Sequence, residues 1–167
     1  EHDPGESTNR AEDRPEVTKE LADRLAAWRE DVGAKMPTPN PRYTPNPQGP
    51  NGTVRLPART AAVHGVMLRY EPLPHKNTLG YWTRAGDWAS WEFELRKPGE
   101  YDVRALVGCG KGSGGSAVEF RIGEQRREFV VPETGGFQKF EPVEVGRVSF
   151  DRPGRFRLDV RAKSKPG

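Results

Sequence analysis

Residues 79 to 95 read LGYWTRAGDWASWEFEL, and the second half of that stretch decides the fold. Ala89, Trp91, Phe93 and Leu95 alternate with Ser90, Glu92 and Glu94, a period of two that turns one apolar face inward and one polar face toward water. This is the pattern of a half-buried antiparallel strand. The first half sets Tyr81, Trp82 and Trp88 among Gly80, Thr83, Arg84, Gly86 and Asp87 at a spacing that suits a loop, so the rings cannot all share the core face. An exposed ring beside Asp, Arg and Thr suits a sugar, which offers a flat C–H face to the ring and hydroxyls to the polar edges. The competing reading is that every ring is core.

Downstream the same period recurs. Tyr101, Val103, Ala105, Val107 and Cys109 alternate with polar or small residues, and Phe156, Leu158, Val160 and Ala162 alternate with Arg157, Asp159 and Arg161. Strands are expected over 61–64, 67–71, 88–95, 100–109, 117–122, 127–131, 139–145, 147–150 and 155–162. Lys97-Pro98-Gly99-Glu100 and Arg152-Pro153-Gly154-Arg155 are matching turns, Pro presetting one central position and Gly taking the positive φ of the next, and each should join consecutive antiparallel strands. Many short strands without helix between them predict a mainly β fold, a jelly-roll β-sandwich. The run Gly108 to Gly115 is not a phosphate loop, because Gly-Lys-Gly leads into a strand where Gly-Lys-Ser/Thr should open a helix. It reads as a flexible connection.

Upstream, residues 36 to 52 carry Pro at 37, 39, 41, 45, 47 and 50 and are expected to run extended over a surface as a semi-rigid linker. Before it, Val17, Leu21, Leu25, Trp28 and Val32 mark one apolar stripe on a helix over about 15–32, with Pro15 at its start and Gly33 past its end. The expected layout is therefore 1–35 tail and helix, 36–52 linker, 53–167 sandwich. The chain begins at Glu1 without methionine and stops at Lys165-Pro166-Gly167, which reads as a piece of a longer protein.

Composition agrees with one modest core. Hydrophobic residues make up 33% of the 167, and 16 Pro with 19 Gly raise the share of turns. No apolar run approaches the roughly 18 residues of a membrane span. The single cysteine, Cys109, precludes an internal disulfide and a cysteine-based zinc site. Residues 1–52 carry 7 basic and 10 acidic side chains, and residues 53–167 carry 20 and 14, a modest excess that would suit an anionic partner but, with no tight Lys or Arg cluster, reads first as a solvated surface of scattered charges. His2, His64 and His75 lack metal-ligand spacing, and no nucleophile stands out beside a histidine. With no zinc-finger, helix-turn-helix or RNP-like pattern, neither nucleic acid nor membrane is an expected partner.

Two resemblances add to this reading. Asp3-Pro4-Gly5-Glu6 with Asn9 resembles the "DPxE…N" close of the secreted sulfatase catalytic fold. The helix ending Leu25-Ala26-Ala27-Trp28-Arg29, followed by Gly33 to Pro41, is similar to the tail of those enzymes. Over residues 1–43 the resemblance implies a secreted or periplasmic parent that hydrolyses sulfate esters, with an upstream catalytic domain as a partner in the same chain. The 167 residues would not themselves catalyse, because Cys109, their single cysteine, is followed by Gly110-Lys111-Gly112 and does not match the C/S-x-P/A-x-R motif that family requires.

Residues 60–162 resemble the jelly-roll carbohydrate-binding modules of families six and thirty-five. The words that carry this are Leu79-Gly80-Tyr81 with Gly86-Asp87-Trp88, Gly99-Glu100-Tyr101-Asp102-Val103, and Thr134-Gly135-Gly136-Phe137-Gln138-Lys139-Phe140. The resemblance implies that Tyr81 and Phe137 sandwich a sugar. The expected ligand-binding set is Tyr81, Trp82, Arg84, Asp87, Trp88 and Phe137, with Asp87 and Arg84 as hydroxyl or sulfate partners. The expected partner is carbohydrate, sulfated polysaccharide included. The sequence departs from the pattern where Phe replaces Trp at 137 and 140 and where a terminal strand that often supplies a binding Asn is missing. No cofactor is expected, with one opening left for a structural calcium, of whose site Glu71 would be the remnant. The alternative function is a structural domain that packs against the catalytic domain and binds no ligand of its own.

Overall fold

The structure is a computed structural model that describes residues 9–38 and 40–165. It divides into two compact units at Tyr43 and Thr44. In the first, α1 spans Pro15–Asp31, with proline in the first turn where its missing N–H costs nothing. Lys19–Asp23 and Glu20–Arg24, each at 2.7 Å, support it at i,i+4 spacing. Past its end Gly33 takes φ +60°, and Ala34 N–H donates to Arg29 O. The stripe of Val17, Leu21, Leu25, Trp28 and Val32 is exposed. The residues of the Asp3-to-Glu6 resemblance lie outside the described residues. Among the described residues no helix is long and apolar enough to cross a membrane.

The second unit is the expected β-sandwich. Its strands are β1 (Ala62–His64), β2 (Arg69–Glu71), β3 (Thr78–Gly80), β4 (Trp88–Leu95), β5 (Gly99–Cys109), β6 (Ala117–Ile122), β7 (Gln125–Val130), β8 (Gly136–Phe150) and β9 (Gly154–Ser164). One antiparallel sheet has the order β1-β4-β9-β6-β7, β5 pairs with β8 in a second, and β2 pairs with β3 in a short hairpin. Between the two larger sheets lie Phe93, Leu95, Val118, Ile122, Leu158 and Val160 from one side and Val148 and Phe150 from the other. The Phe150 ring is the hub, meeting Phe156, Tyr101 and Phe93 edge-on at 4.5, 5.7 and 6.0 Å.

Several expectations change in detail. The strands expected at 139–145 and 147–150 are one strand, β8, which passes through Gly146 at φ +128° with a register shift opposite Val103 and Arg104. The Pro-Gly turns are not hairpins: one carries the chain from β4 to β5 and the other from β8 to β9, so each crosses from one sheet to the other. They lie side by side, since Leu95 pairs with Gly154 and Gly99 with Phe150.

The second half of the linker belongs to the sandwich. Pro47 bridges Glu94 in parallel, and Gln48, which is buried, accepts from Arg96 and Lys97 N–H and donates to Gly52 O and Tyr101 Oη. This stretch closes the edge of β4 beyond the short β1. Proline can do so because an edge needs few of its own N–H groups. The glycine run is tied down as well: Gly112 N–H donates to Glu133 Oε1, Gly115 pairs with Val131, and Thr134 bonds both polar backbone atoms of Cys109.

Candidate functional site

The local structure of the aromatic stretch is set by Asp87. Its carboxylate is 2% exposed and accepts the N–H groups of Val66 at 3.0 Å and of Met67 and Leu68 at 2.8 Å. Those bonds, Val66 first, with help from the charge of Arg84, hold its carboxyl below the ordinary value of 3.8 against the cost of burial. Gly65 sits at φ +116° with its Cα against the same carboxylate, so a side chain there would collide with Asp87. Trp82 packs on the core and donates its indole N–H to Asp87 O at 3.0 Å. Asp87 was expected to meet sugar hydroxyls, and burial and three backbone donors give it a scaffolding role. Trp82 is likewise turned toward the core.

Trp88 is also engaged from within. Its neighbours across the sheet are His64 on β1 and Arg161 on β9. The His64 ring stacks on it at 3.7 Å and 12°, and the Arg161 guanidinium lies 3.7 Å from its ring centroid. Two planar groups cannot share one 3.7 Å layer, so they cover opposite faces of the indole. The expected stacking surface at Trp88 is thereby occupied by the protein's own side chains.

Tyr81 is different. It is 47% exposed, and its backbone is left-handed at φ +57°, a conformation that costs an aromatic residue about 1 kcal/mol or more. Arg69, opposite Gly80 in the β2–β3 hairpin, lays its guanidinium 3.6 Å from the Tyr81 ring centroid. One face of the ring is thus backed by a cation. Beside it, Glu71 and Lys76 form a half-buried ion pair at 3.0 Å. The carboxylate of Glu71 lies over Gly80, filling the space a side chain would need there. At Glu71, the expected remnant of a structural calcium site, Oε1 accepts from the Lys76 ammonium, and among the described residues no three or more His, Cys, Asp or Glu side chains gather in a metal-binding group.

Phe137, at the start of β8, is 67% exposed, with its ring edge against Gly110. No ring contact joins it to Tyr81. Arg84 is exposed and forms no ion pair among the described residues. Of the six expected residues, Tyr81, Arg84 and Phe137 therefore present side chains to solvent, while Trp82, Asp87 and Trp88 are committed to the sandwich. Arg69, Glu71 and Lys76 join the Tyr81 site only through the β2–β3 pairing, for which the sequence offers no visible register.

No protein family and no curated protein matches the chain by sequence. Among solved structures, the sandwich is similar to the C-terminal CBM6 of a marine laminarinase from Zobellia galactanivorans, at 21% identity and a TM-score of 0.52, over 65% of this chain and 87% of that one. It is also similar to a family 35 carbohydrate binding module from Clostridium thermocellum, at 13% identity and a TM-score of 0.51, over 65% and 85%. The likeness is one of fold.

Proposed function

We propose that residues 44–167 form a non-catalytic glycan-binding module whose binding surface is the rim around Tyr81. The observation that carries this is the Tyr81 ring itself, exposed, held in a costly backbone conformation, backed by Arg69 and flanked by the Glu71–Lys76 pair. A strained residue at a solvent-facing position is paid for by the structure around it, and the arrangement yields a flat apolar surface with polar edges. The free face of Tyr81 would take the C–H face of a sugar, contributing on the order of 1 kcal/mol. Glu71 would accept from a hydroxyl and Lys76 donate to one. Phe137 adds a second exposed ring. The two solved structures named above carry carbohydrate-binding-module names, which supports the same reading.

A sulfated polysaccharide suits the site better than a neutral one, because Arg69 and Arg84 form no ion pair among the described residues and guanidinium groups bind sulfate through charge-assisted pairs. The resemblance of residues 1–43 to the sulfatase tail supports a secreted sulfatase as the parent enzyme. Titration calorimetry against a sulfated polysaccharide and its desulfated form tests the whole reading. Binding to both, tighter for the sulfated form and weakened about five- to tenfold by Tyr81→Ala, is expected. No binding of either at millimolar sugar would overturn it. A purely structural role is favoured for Trp82 and Trp88 by their internal contacts.

A further inference from the structure

Arg69 is a cation held in place without an acid to neutralise it. Its guanidinium carbon lies 3.6 Å from the Tyr81 ring centroid, a separation that only face-to-face stacking allows. The acid on the same face of β2, Glu71 two residues on, pairs instead with Lys76 at 3.0 Å. Among the described residues the Arg69 guanidinium makes no hydrogen bond or ion pair, so its N–H donors are unused. Stacking turns those donors outward in one plane, beyond the edge of the ring. Tyr81 is 47% exposed, and among the described residues no ring or cation stacks on its opposite face.

We propose that Arg69 is the residue that selects the ligand of the Tyr81 site, and that it selects a hexose sulfated on its primary, exocyclic hydroxyl, O6. This rests on the reading of Tyr81 as a glycan platform. A sugar on the free face would set its carbons about 3.5–4 Å above the ring, which leaves about 7 Å between the sugar and the guanidinium plane on the other side. A sulfate on an equatorial ring hydroxyl stays near the level of the sugar and falls short of that plane. An axial sulfate on the stacked side would hold the sugar off the ring. The exocyclic arm adds a freely turning carbon, so its sulfate can swing past the ring edge and meet the guanidinium fork through paired N–H···O bonds of about 2.7–2.9 Å. Arg69 also acts through the ring itself. A cation on one face draws the π electrons toward it and weakens the attraction of the other face for the C–H groups of an uncharged sugar. One side chain thereby favours the sulfated ligand and disfavours the bare one.

Titration calorimetry of the full chain against galactose and glucose oligosaccharides, each unsulfated, sulfated at O6 and sulfated at O2, tests the proposal. On whichever backbone the wild type binds more tightly, the O6 form is expected about five- to tenfold ahead of the O2 form, with the gap narrowing as salt rises. Arg69→Met keeps an unbranched side chain against the ring without charge or donors. It should remove that gap and leave the unsulfated form bound as before or up to about twofold tighter, while Arg69→Lys, with the charge but no fork, retains part of the gap. Equal wild-type affinity for the O6 and O2 forms overturns the proposal, as does a gap that survives Arg69→Met. An equal loss of all three ligands in Arg69→Met, with circular dichroism unchanged, also overturns it and leaves Arg69 as a support for Tyr81 alone. In those cases binding that Tyr81→Ala weakens keeps the glycan reading standing, whereas no binding of any form to the wild type overturns both.

Discussion

At Asp87 a single carboxylate gathers three backbone N–H groups, and protonation would remove most of that attraction. Because its folded pKa lies below the unfolded value of about 3.8, its contribution is fully present above that value and is lost as pH falls through the lowered folded pKa. Thermal melts should therefore show the wild-type chain losing stability below about pH 4. Asp87→Asn should melt lower at pH 7 and converge on wild type in acid; equal melting temperatures at neutral pH would contradict the role. Gly65→Ala should cost at least about 2 kcal/mol in urea unfolding, through its positive φ and the collision with Asp87. Cys109 offers a check on the far end of β5. Burial, with the nearby charge of Glu133, pushes its thiol up from the ordinary 9.0, so iodoacetamide should label it slowly at pH 8 until denaturant is added. Rapid labelling of the folded chain would show that the Thr134 tie does not close this end.

At the scale of elements, β4 was legible because one face is buried and the other wet, so its period of two survives in the sequence. The same holds for β5 and β9. The short hairpin of β2 and β3 was half visible: only its first strand was expected, and Thr78–Gly80 is too brief to show a period. The proline-rich segment misled for a physical reason. Proline forbids a central strand, which argues for a linker, yet Pro47 can lie on an edge, and the bonds that hold it come from Gln48, a residue with no local pattern. Gln48→Ala leaves buried donors and acceptors unpaired and should cost about 1–3 kcal/mol in denaturant unfolding. A cost near zero would return this segment to the status of a linker. Leu95→Ala, at a side chain 2% exposed beside the turn between sheets, should cost about 2–5 kcal/mol by the same measurement.

For the whole molecule, the sandwich was readable from alternation and turn chemistry, while the site was readable only in part. Tyr81, Trp82 and Trp88 look alike in sequence, and what separates them is the third dimension: one ring meets Asp87, one is clasped by His64 and Arg161, and one is lifted into solvent on a left-handed residue. The claim that matters most is that this last ring marks where a glycan is held. Nuclear magnetic resonance of the backbone amides during titration with a sulfated oligosaccharide addresses it residue by residue. The account predicts shifts gathered at Arg69 to Glu71, Lys76 to Trp82 and around Phe137, abolished by Tyr81→Ala. Shifts gathered instead around Trp88 and Arg161, or none at saturating sugar, would contradict it.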